Sequence, residues 1–455
     1  MVDEPGRSGH LRRVGRTTFA ALAVPNYRRY FVGQTISLVG TWMQTTAQAW
    51  LVLELTNSAT DLGLVIALQT LPVLLLGPYG GVVADRVDKR RLMVVLQTLM
   101  GLQALTLGLL TVTHVIRLWE VCVLAVVLGL NNTFENPSRQ AFVLEMVGPG
   151  DLRNAVTLNS VIVNAARAVG PAVAGVIIAT AGVGPCFLAN AASFVAVVAS
   201  LMTMNMDTLQ PSTPTQRAKG QLRQGLAYVR RNRRLGVPLL MMGMVGMLTY
   251  EFQVSLPVLA RVTFHGNSEV YGFMTAAMGA GAVVGGLVTA ARGSTGVRPL
   301  IIAAIGFGSV TLLAALAPNL VLELTALAFV GWGSIAFLAI ANSTLQLNSD
   351  ASMRGRVMAL WAVAFLGSTP IGGPTIGWVI RESNPRIGLL VGSLTCFAAA
   401  GVGTFARHRF TARRAVVPSD LETFDKTLGG PMASETVPRA EGQGADAMSE
   451  SEREA

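Results

Sequence analysis

Long apolar runs dominate this chain, and short polar loops separate them. Twelve runs stand out, at roughly 30–54, 62–83, 92–113, 120–138, 155–181, 185–204, 237–259, 269–290, 300–317, 320–345, 357–380 and 387–406. An α-helix rises about 1.5 Å per residue, so ~20 residues cover the ~30 Å hydrocarbon core of a bilayer. The pattern predicts an all-α integral membrane protein whose spans are numbered 1 to 12 in chain order. Span 4 is the least regular, because Asn131, Asn132 and Glu135 interrupt it.

Polar residues inside the runs say what each helix faces, because polar groups in hydrocarbon are costly. Span 1 carries Gln34, Ser37, Thr41, Thr45 and Gln48, spaced by three or four. That spacing draws one stripe along a helix. The stripe is either a cavity wall that touches substrate or a set of hydrogen bonds to neighbouring helices. Span 5 carries Ser160, Asn164 and Arg167, then Gly170-Pro171. An unpaired cation at mid-bilayer costs on the order of 3 kcal/mol, so Arg167 is expected to face the interior with a partner. Pro171 removes a backbone hydrogen bond and bends the helix. Glu251 in span 7 and Glu135 in span 4 are the deepest carboxylates. A carboxyl in a low-dielectric site can exchange a proton near neutral pH. Glu251 is thus a candidate proton carrier, with a structural ion pair as the alternative. Glu135 and Arg139 form a possible i,i+4 pair. The glycines of span 8, including Gly272, Gly279 and Gly285, suit close helix packing rather than phosphate binding, since no strand precedes them.

Composition places the chain in the same class. It is 51% hydrophobic and 13% charged, against about 25% charged in soluble domains. The net charge of +10 does not indicate nucleic acid, because the basic residues sit in loops between spans. Arg86, Lys89, Arg90, Arg91, Arg139, Arg153, the 205–236 stretch, Arg292, Arg298, Arg354, Arg356, Arg407 and Arg409 fall on one side. Only Arg117, Arg261, Arg381 and Arg386 fall on the other. This asymmetry predicts cytoplasmic termini in a cell membrane. Residues 1–29 lack a cleavable signal pattern and read as a cytoplasmic segment. Cys122, Cys186 and Cys396 lie in apolar runs and read as packing residues. No HExxH, GxSxG or CxxC constellation occurs. The expectation is no enzyme, no metal and no cofactor, with a proton gradient as the energy source.

The longest loop divides the spans six and six, giving halves at 30–204 and 237–406. Within the 205–236 linker, Leu222, Leu226 and Val229 mark an apolar face among Arg223, Arg230, Arg231, Arg233 and Arg234. An amphipathic helix on the inner leaflet fits, and a solvated basic linker is the alternative. The polar 407–455 tail reads as cytoplasmic and largely disordered from 411 onward. A repeat links the halves: Asp151–Ala174 lies on Arg354–Gly377 with a constant offset, pairing Gly170 with Gly373 and Pro171 with Pro374. Parallel six-helix repeats are a transporter architecture.

The loop Gly81-Val82-Val83-Ala84-Asp85-Arg86-Val87-Asp88-Lys89-Arg90-Arg91 resembles the loop between helices 2 and 3 of the major facilitator superfamily. Gly81, Asp85, Arg86, Lys89 and Arg90 match it. Asp88 stands where a Gly is more usual, a variant similar to the enterobactin exporter subgroup. The resemblance implies that Asp85 docks near Arg356 at the start of helix 11 as a gate. Ala166–Gly175 resembles the antiporter motif of helix 5 through Gly170, Pro171 and Gly175, with Ala166 in place of a Gly. Two pseudo-symmetric six-helix bundles working by alternating access are implied. So is proton-coupled export of small lipophilic or siderophore-like molecules by a monomer in the bilayer. Glu251 and Arg167 would couple the proton, and Asn164 with the span 1 stripe would line the cavity. An importer or uniporter of the same fold, or a transporter-like membrane sensor, are the rival readings.

Overall fold

The computed structural model describes residues 20–210, 221–350 and 353–415, and every regular element among them is helical. Ten helices among the described residues are long and apolar enough to cross a membrane. Span 1, Pro25–Thr56, adds another; its polar stripe lowers its mean hydropathy below that of the ten. The helix Leu118–Ala181 carries two spans, which brings the total to twelve. The other unbroken spans are Ala59–Arg86 (2), Lys89–Val112 (3), Gly184–Met202 (6), Ser268–Arg292 (8), Val297–Leu316 (9), Leu320–Leu347 (10) and Pro385–Ala415 (12).

Four boundaries differ from the sequence expectation. Spans 4 and 5 join through helical turns rather than a loop. The one non-helical residue is Gly148, at φ 71°, followed by Pro149. That φ suits glycine, which has no Cβ to clash. Span 7 is broken into Arg233–Leu248 and Phe252–Val258 and ends in a π-turn at Leu259–Thr263. Span 11 is broken into Arg354–Leu366 and Thr369–Glu382. Pro370 explains the second break: it has no N–H to give and restricts the residue before it. Span 12 runs on to Ala415 instead of ending at 406; the remaining tail lies outside the described residues.

The linker helix Gln221–Arg231 forms as expected, but it does not present its whole apolar face to lipid. Val229 is buried with Leu235, Leu345, Val357 and Leu360. Tyr228 Oη donates to Asp350 Oδ2 at 2.9 Å. The helix thus docks on the ends of spans 10 and 11, while Leu226 stays exposed.

One end of the bundle carries the basic loops and is called the basic face; the opposite end is the far face. The N-terminal half is tied at the basic face. Asn26 Nδ2 donates to Asn205 O at 2.7 Å, and Arg29 Nη1 donates to Thr203 O at 2.7 Å. The two halves meet along two seams related by the internal repeat, span 5 with span 8 and span 2 with span 11. Close backbone approaches mark both seams from mid-helix toward the far face, where span 2 packs mainly on the second segment of span 11.

Candidate substrate and proton site

The seams are built on glycine. A Cβ on Gly272 would stand 2.7 Å from Pro171 O and 2.8 Å from Gly175 Cα. A Cβ on Gly373 would stand 3.0 Å from Gly63 O. Backbones this close exclude side chains, the arrangement small residues permit in membrane helices. The sequence-predicted Gly175 and Pro171 therefore belong to the span 5–span 8 seam. Gly170 instead faces span 1, where a Cβ would stand 2.6 Å from Trp42 Cβ.

Arg167 lies on the first seam. Its carbonyl oxygen stands 2.9 Å from where a Gly279 Cβ would be. Its guanidinium sits over the Trp42 ring, 4.8 Å from the centroid, a cation–π contact that stabilises a desolvated charge. Nε is buried and has no hydrogen-bond partner. The partner expected for this cation is thus an aromatic face. Tyr250 of the opposite half is within electrostatic reach. Tyr250 Oη donates to Ser334 O at 2.5 Å, and its ring meets Phe365 edge-on at 5.0 Å and Phe307 at 5.5 Å. Trp361 continues the cluster, 5.7 Å from Phe365, and its Nε1 is a buried donor without a partner.

Glu251 lies on the second seam, at the break in span 7. It is 3% exposed. A Gly372 Cβ would stand 2.8 Å from Oε1, and a Gly373 Cβ 3.5 Å from Oε2. The Thr369 hydroxyl lies near the carboxyl, and Oε1 is buried with no hydrogen-bond partner. The carboxyl is thus packed behind the glycine pair whose other side abuts Gly63. Broken helices place exposed backbone and a titratable side chain at mid-membrane, where irregular backbone is tolerated only inside protein or a cavity.

The span 1 stripe is mostly turned into the N-terminal bundle. Gln34 and Ser37 are buried, and Gln34 Oε1 has no partner. Gln48 Nε2 donates to Gln69 Oε1 of span 2 at 3.2 Å. Thr41 and Thr45 line a pocket of about 40 Å³ with Gln44, Gln103 and Asn190. There Asn190 Nδ2 donates to Gln44 Oε1 at 2.7 Å, and Gln44 Nε2 to Gln103 Oε1 at 3.0 Å. Interhelical bonding thus accounts for much of the stripe. Asn164 is half-buried and donates to Ser160 O one turn back at 2.8 Å.

The charged loop divides in two. Lys89 Nζ pairs with Glu145 Oε1 of span 4 at 2.7 Å, largely buried. Arg90 Nε donates to Leu201 O at 2.7 Å and Nη2 to Met202 O at 3.0 Å, at the end of span 6. Asp88 caps span 3, accepting from Arg91 N at 2.7 Å. These residues join helices within one half. Gly81 and Asp85 end span 2, and the side-chain environment expected for Asp85 lies outside what is described; Arg86 is exposed. Arg356 is half-buried and directs Nη1 to Met353 Sδ at 3.0 Å. Glu135 pairs with Arg139 at 3.0 Å, and Arg139 also reaches Asn159 of span 5.

Sequence reading missed Trp42, Tyr250, Thr369 and the Gly372-Gly373 pair. Trp42 was within its reach, since it lies next to Thr41 in the stripe. Gly372-Gly373, two residues past Pro370, also carried a signal. Tyr250 carried none.

Comparison with known proteins gives the same architecture. A family profile described as "Transmembrane secretion effector" matches residues 16–435. The chain is 27% identical to the staphyloferrin A transporter of Staphylococcus aureus over 266 residues, 57% of this chain and 66% of that protein, just under two thirds of its length. It is 24% identical to the enterobactin exporter EntS of Escherichia coli over 366 residues, 79% of this chain and 86% of that protein. A bacterial homologue of the human lysosomal transporter Spinster, in an inward-facing and unoccupied conformation, superposes with TM-score 0.68 at 14% identity, covering 85% of this chain and 98% of that one. Twelve helices in two bundles joined at two glycine seams, together with that profile match, place the chain in the transmembrane secretion effector family of the major facilitator superfamily.

Proposed function

We propose that this chain is a proton-coupled exporter of small lipophilic or siderophore-like molecules, working by alternating access with both termini in the cytoplasm. One observation carries the reading: Arg167 and Glu251, a cation and an acid without complementary charged partners, sit one on each seam between the halves. Rocking the halves must open and close those seams, so each group changes its surroundings with every cycle. The far face, closed here by both seams, is the outer face on this reading.

Arg167 with Trp42, Tyr250 and Phe365 forms a site with one positive charge and aromatic walls. Mostly apolar pockets with a few converging polar groups are the usual form of small-molecule sites. Arg167 Nε and Trp361 Nε1 offer donors to an oxygen-rich ligand. The two relatives named above for siderophore transport agree with that choice. Separating span 2 from span 11 would uncover Gly373 and Glu251 to the far side, where the carboxyl takes up a proton; closing that seam and opening the basic face would return it inside. The electrical part of the gradient supplies about 2.3 kcal/mol per charge per 100 mV.

The test is efflux of a ferric-ion chelator of this type, and separately of a fluorescent lipophilic cation, from energised cells with and without a protonophore. Efflux that collapses with the protonophore and is lost in both Glu251→Gln and Glu251→Ala supports the reading. Uptake instead of efflux would reverse the direction. Proton-driven efflux retained in Glu251→Gln would remove Glu251 as the proton carrier.

A further inference from the structure

The buried carboxylates divide sharply. Glu135 and Glu145 pair with Arg139 and Lys89, and Glu251 lies behind Gly372 and Gly373. Glu323 is 0% exposed, and neither of its oxygens has a hydrogen-bond partner. It stands in the first turn of span 10, Leu320–Leu347, about 5 Å along the helix from its far-face end. Arg386, at the start of span 12, is the charged group whose field reaches it. That guanidinium is engaged elsewhere: Nη2 donates to Ala317 O at 2.7 Å, closing the end of span 9. An ionised carboxylate buried without hydrogen bonds or an ion pair costs several kcal/mol, whereas the neutral acid costs far less.

We propose that Glu323 is a second proton-binding site of this carrier, loaded from the far face and separate from Glu251. Leu327 and Val330, both fully buried, follow it at helical spacing on the same face of span 10. That face reaches Ser334, whose carbonyl holds Tyr250. Leu327 and Val330 therefore separate Glu323 from the level at which Ser334 holds Tyr250. In the loading step a hydronium ion gives its proton to a Glu323 carboxylate oxygen, leaving the neutral acid and water. In the reverse step water takes the proton, and the carboxylate left behind draws Arg386 from Ala317 O. The role in transport rests on the proton-coupled reading above; the protonation itself does not.

The experiment is infrared difference spectroscopy of the purified full chain in lipid nanodiscs, titrated from acid to alkaline pH in water and heavy water. The native protein should show carboxylic-acid carbonyl bands that Glu323→Gln and Glu251→Gln each remove in part, and that the double variant removes together. A spectrum identical in native protein and Glu323→Gln overturns the proposal. Arg386→Gln gives a second readout, because it removes the competing cation while leaving the Glu323 carboxyl in place. The Glu323 band should then persist to more alkaline pH. A band that appears only in Arg386→Gln would mean that Glu323 is ionised in the native protein, and would equally overturn it. A native spectrum that holds the Glu323 band but no band that Glu251→Gln removes sinks the proton carrier proposed above and leaves this site standing.

Discussion

Arg261 and Leu53 close the far face between them. Arg261 Nη1 donates to Leu53 O at 2.7 Å, and that carbonyl also accepts from Asn57 N at 2.9 Å as span 1 ends. The bond joins the π-turn of span 7 to the last turn of span 1, so it crosses from one half to the other. A cation at a helix C-terminus meets the negative end of the helix dipole. Beside it, Trp50 stacks on Tyr271 of span 8 at 6.2 Å. On the alternating-access reading, every outward opening must break these contacts. Charge-assisted hydrogen bonds contribute about 1.5–3 kcal/mol, which is tenfold or more in an opening equilibrium. Arg261→Gln should therefore raise the outward-open population by about tenfold. Thr56 of the N-terminal half and Ser383 of the C-terminal half both line a far-face cavity of about 560 Å³, so spin labels there report the change as a longer distance. An unchanged distance distribution would exclude the latch.

Steric closure makes a complementary prediction. Gly63 and Gly373 meet with no room for a side chain. Gly373→Val should hold the span 2–span 11 seam apart and shift the same spin-label pair to the long distance permanently. Transport should fall at least tenfold while the protein still inserts and remains monodisperse. Full transport by this variant would show that the seam closes by another route.

Arg167 gives a prediction that separates binding from folding. Its Nε bonds nothing within the protein, and its main contact is the Trp42 face. Cation–π contacts at desolvated sites contribute about 2 kcal/mol, and a buried unpaired cation costs a comparable amount. Arg167→Gln should leave Tm within a few degrees of native. Affinity for an anionic chelator should drop at least tenfold, read by calorimetric titration. Arg167→Lys keeps the charge but not the planar fork, and should recover only part of the loss. Equal affinity in all three proteins would move the substrate elsewhere.

The sequence made the helices legible because twenty-residue apolar runs have few other stable forms in a bilayer. The pseudo-repeat was legible for a related reason. Gly170 and Gly373 mark equivalent helices, and both lie at close approaches between neighbouring helices. The break in span 7 was not legible: no Gly or Pro marks Thr249–Glu251, and the run stays apolar on both sides. There the Thr249 hydroxyl bonds Gly392 O of span 12 at 2.8 Å, a tertiary contact no local pattern encodes. Polar stripes were ambiguous for the same reason. Gln34 and Asn164 share a spacing rule, but only packing decides that one faces its own bundle and the other stays half exposed.

The charged loop between spans 2 and 3 yields the last prediction, because its residues divide by partner. Lys89 and Glu145 form a largely buried pair within the N-terminal half. Removing one member of such a pair costs about 3–5 kcal/mol, since the other charge stays buried. Lys89→Met should lower Tm by several degrees. Because both partners lie on the same side of the seams, the far-face distance distribution should not move. Asp85→Asn should do the opposite if the resemblance to the superfamily gate is correct: Tm near native, with the conformational balance shifted. Measuring both variants by thermal melts and by the Thr56–Ser383 distance separates the two roles. A Lys89→Met protein with native Tm and a shifted distance would assign gating to Lys89 instead.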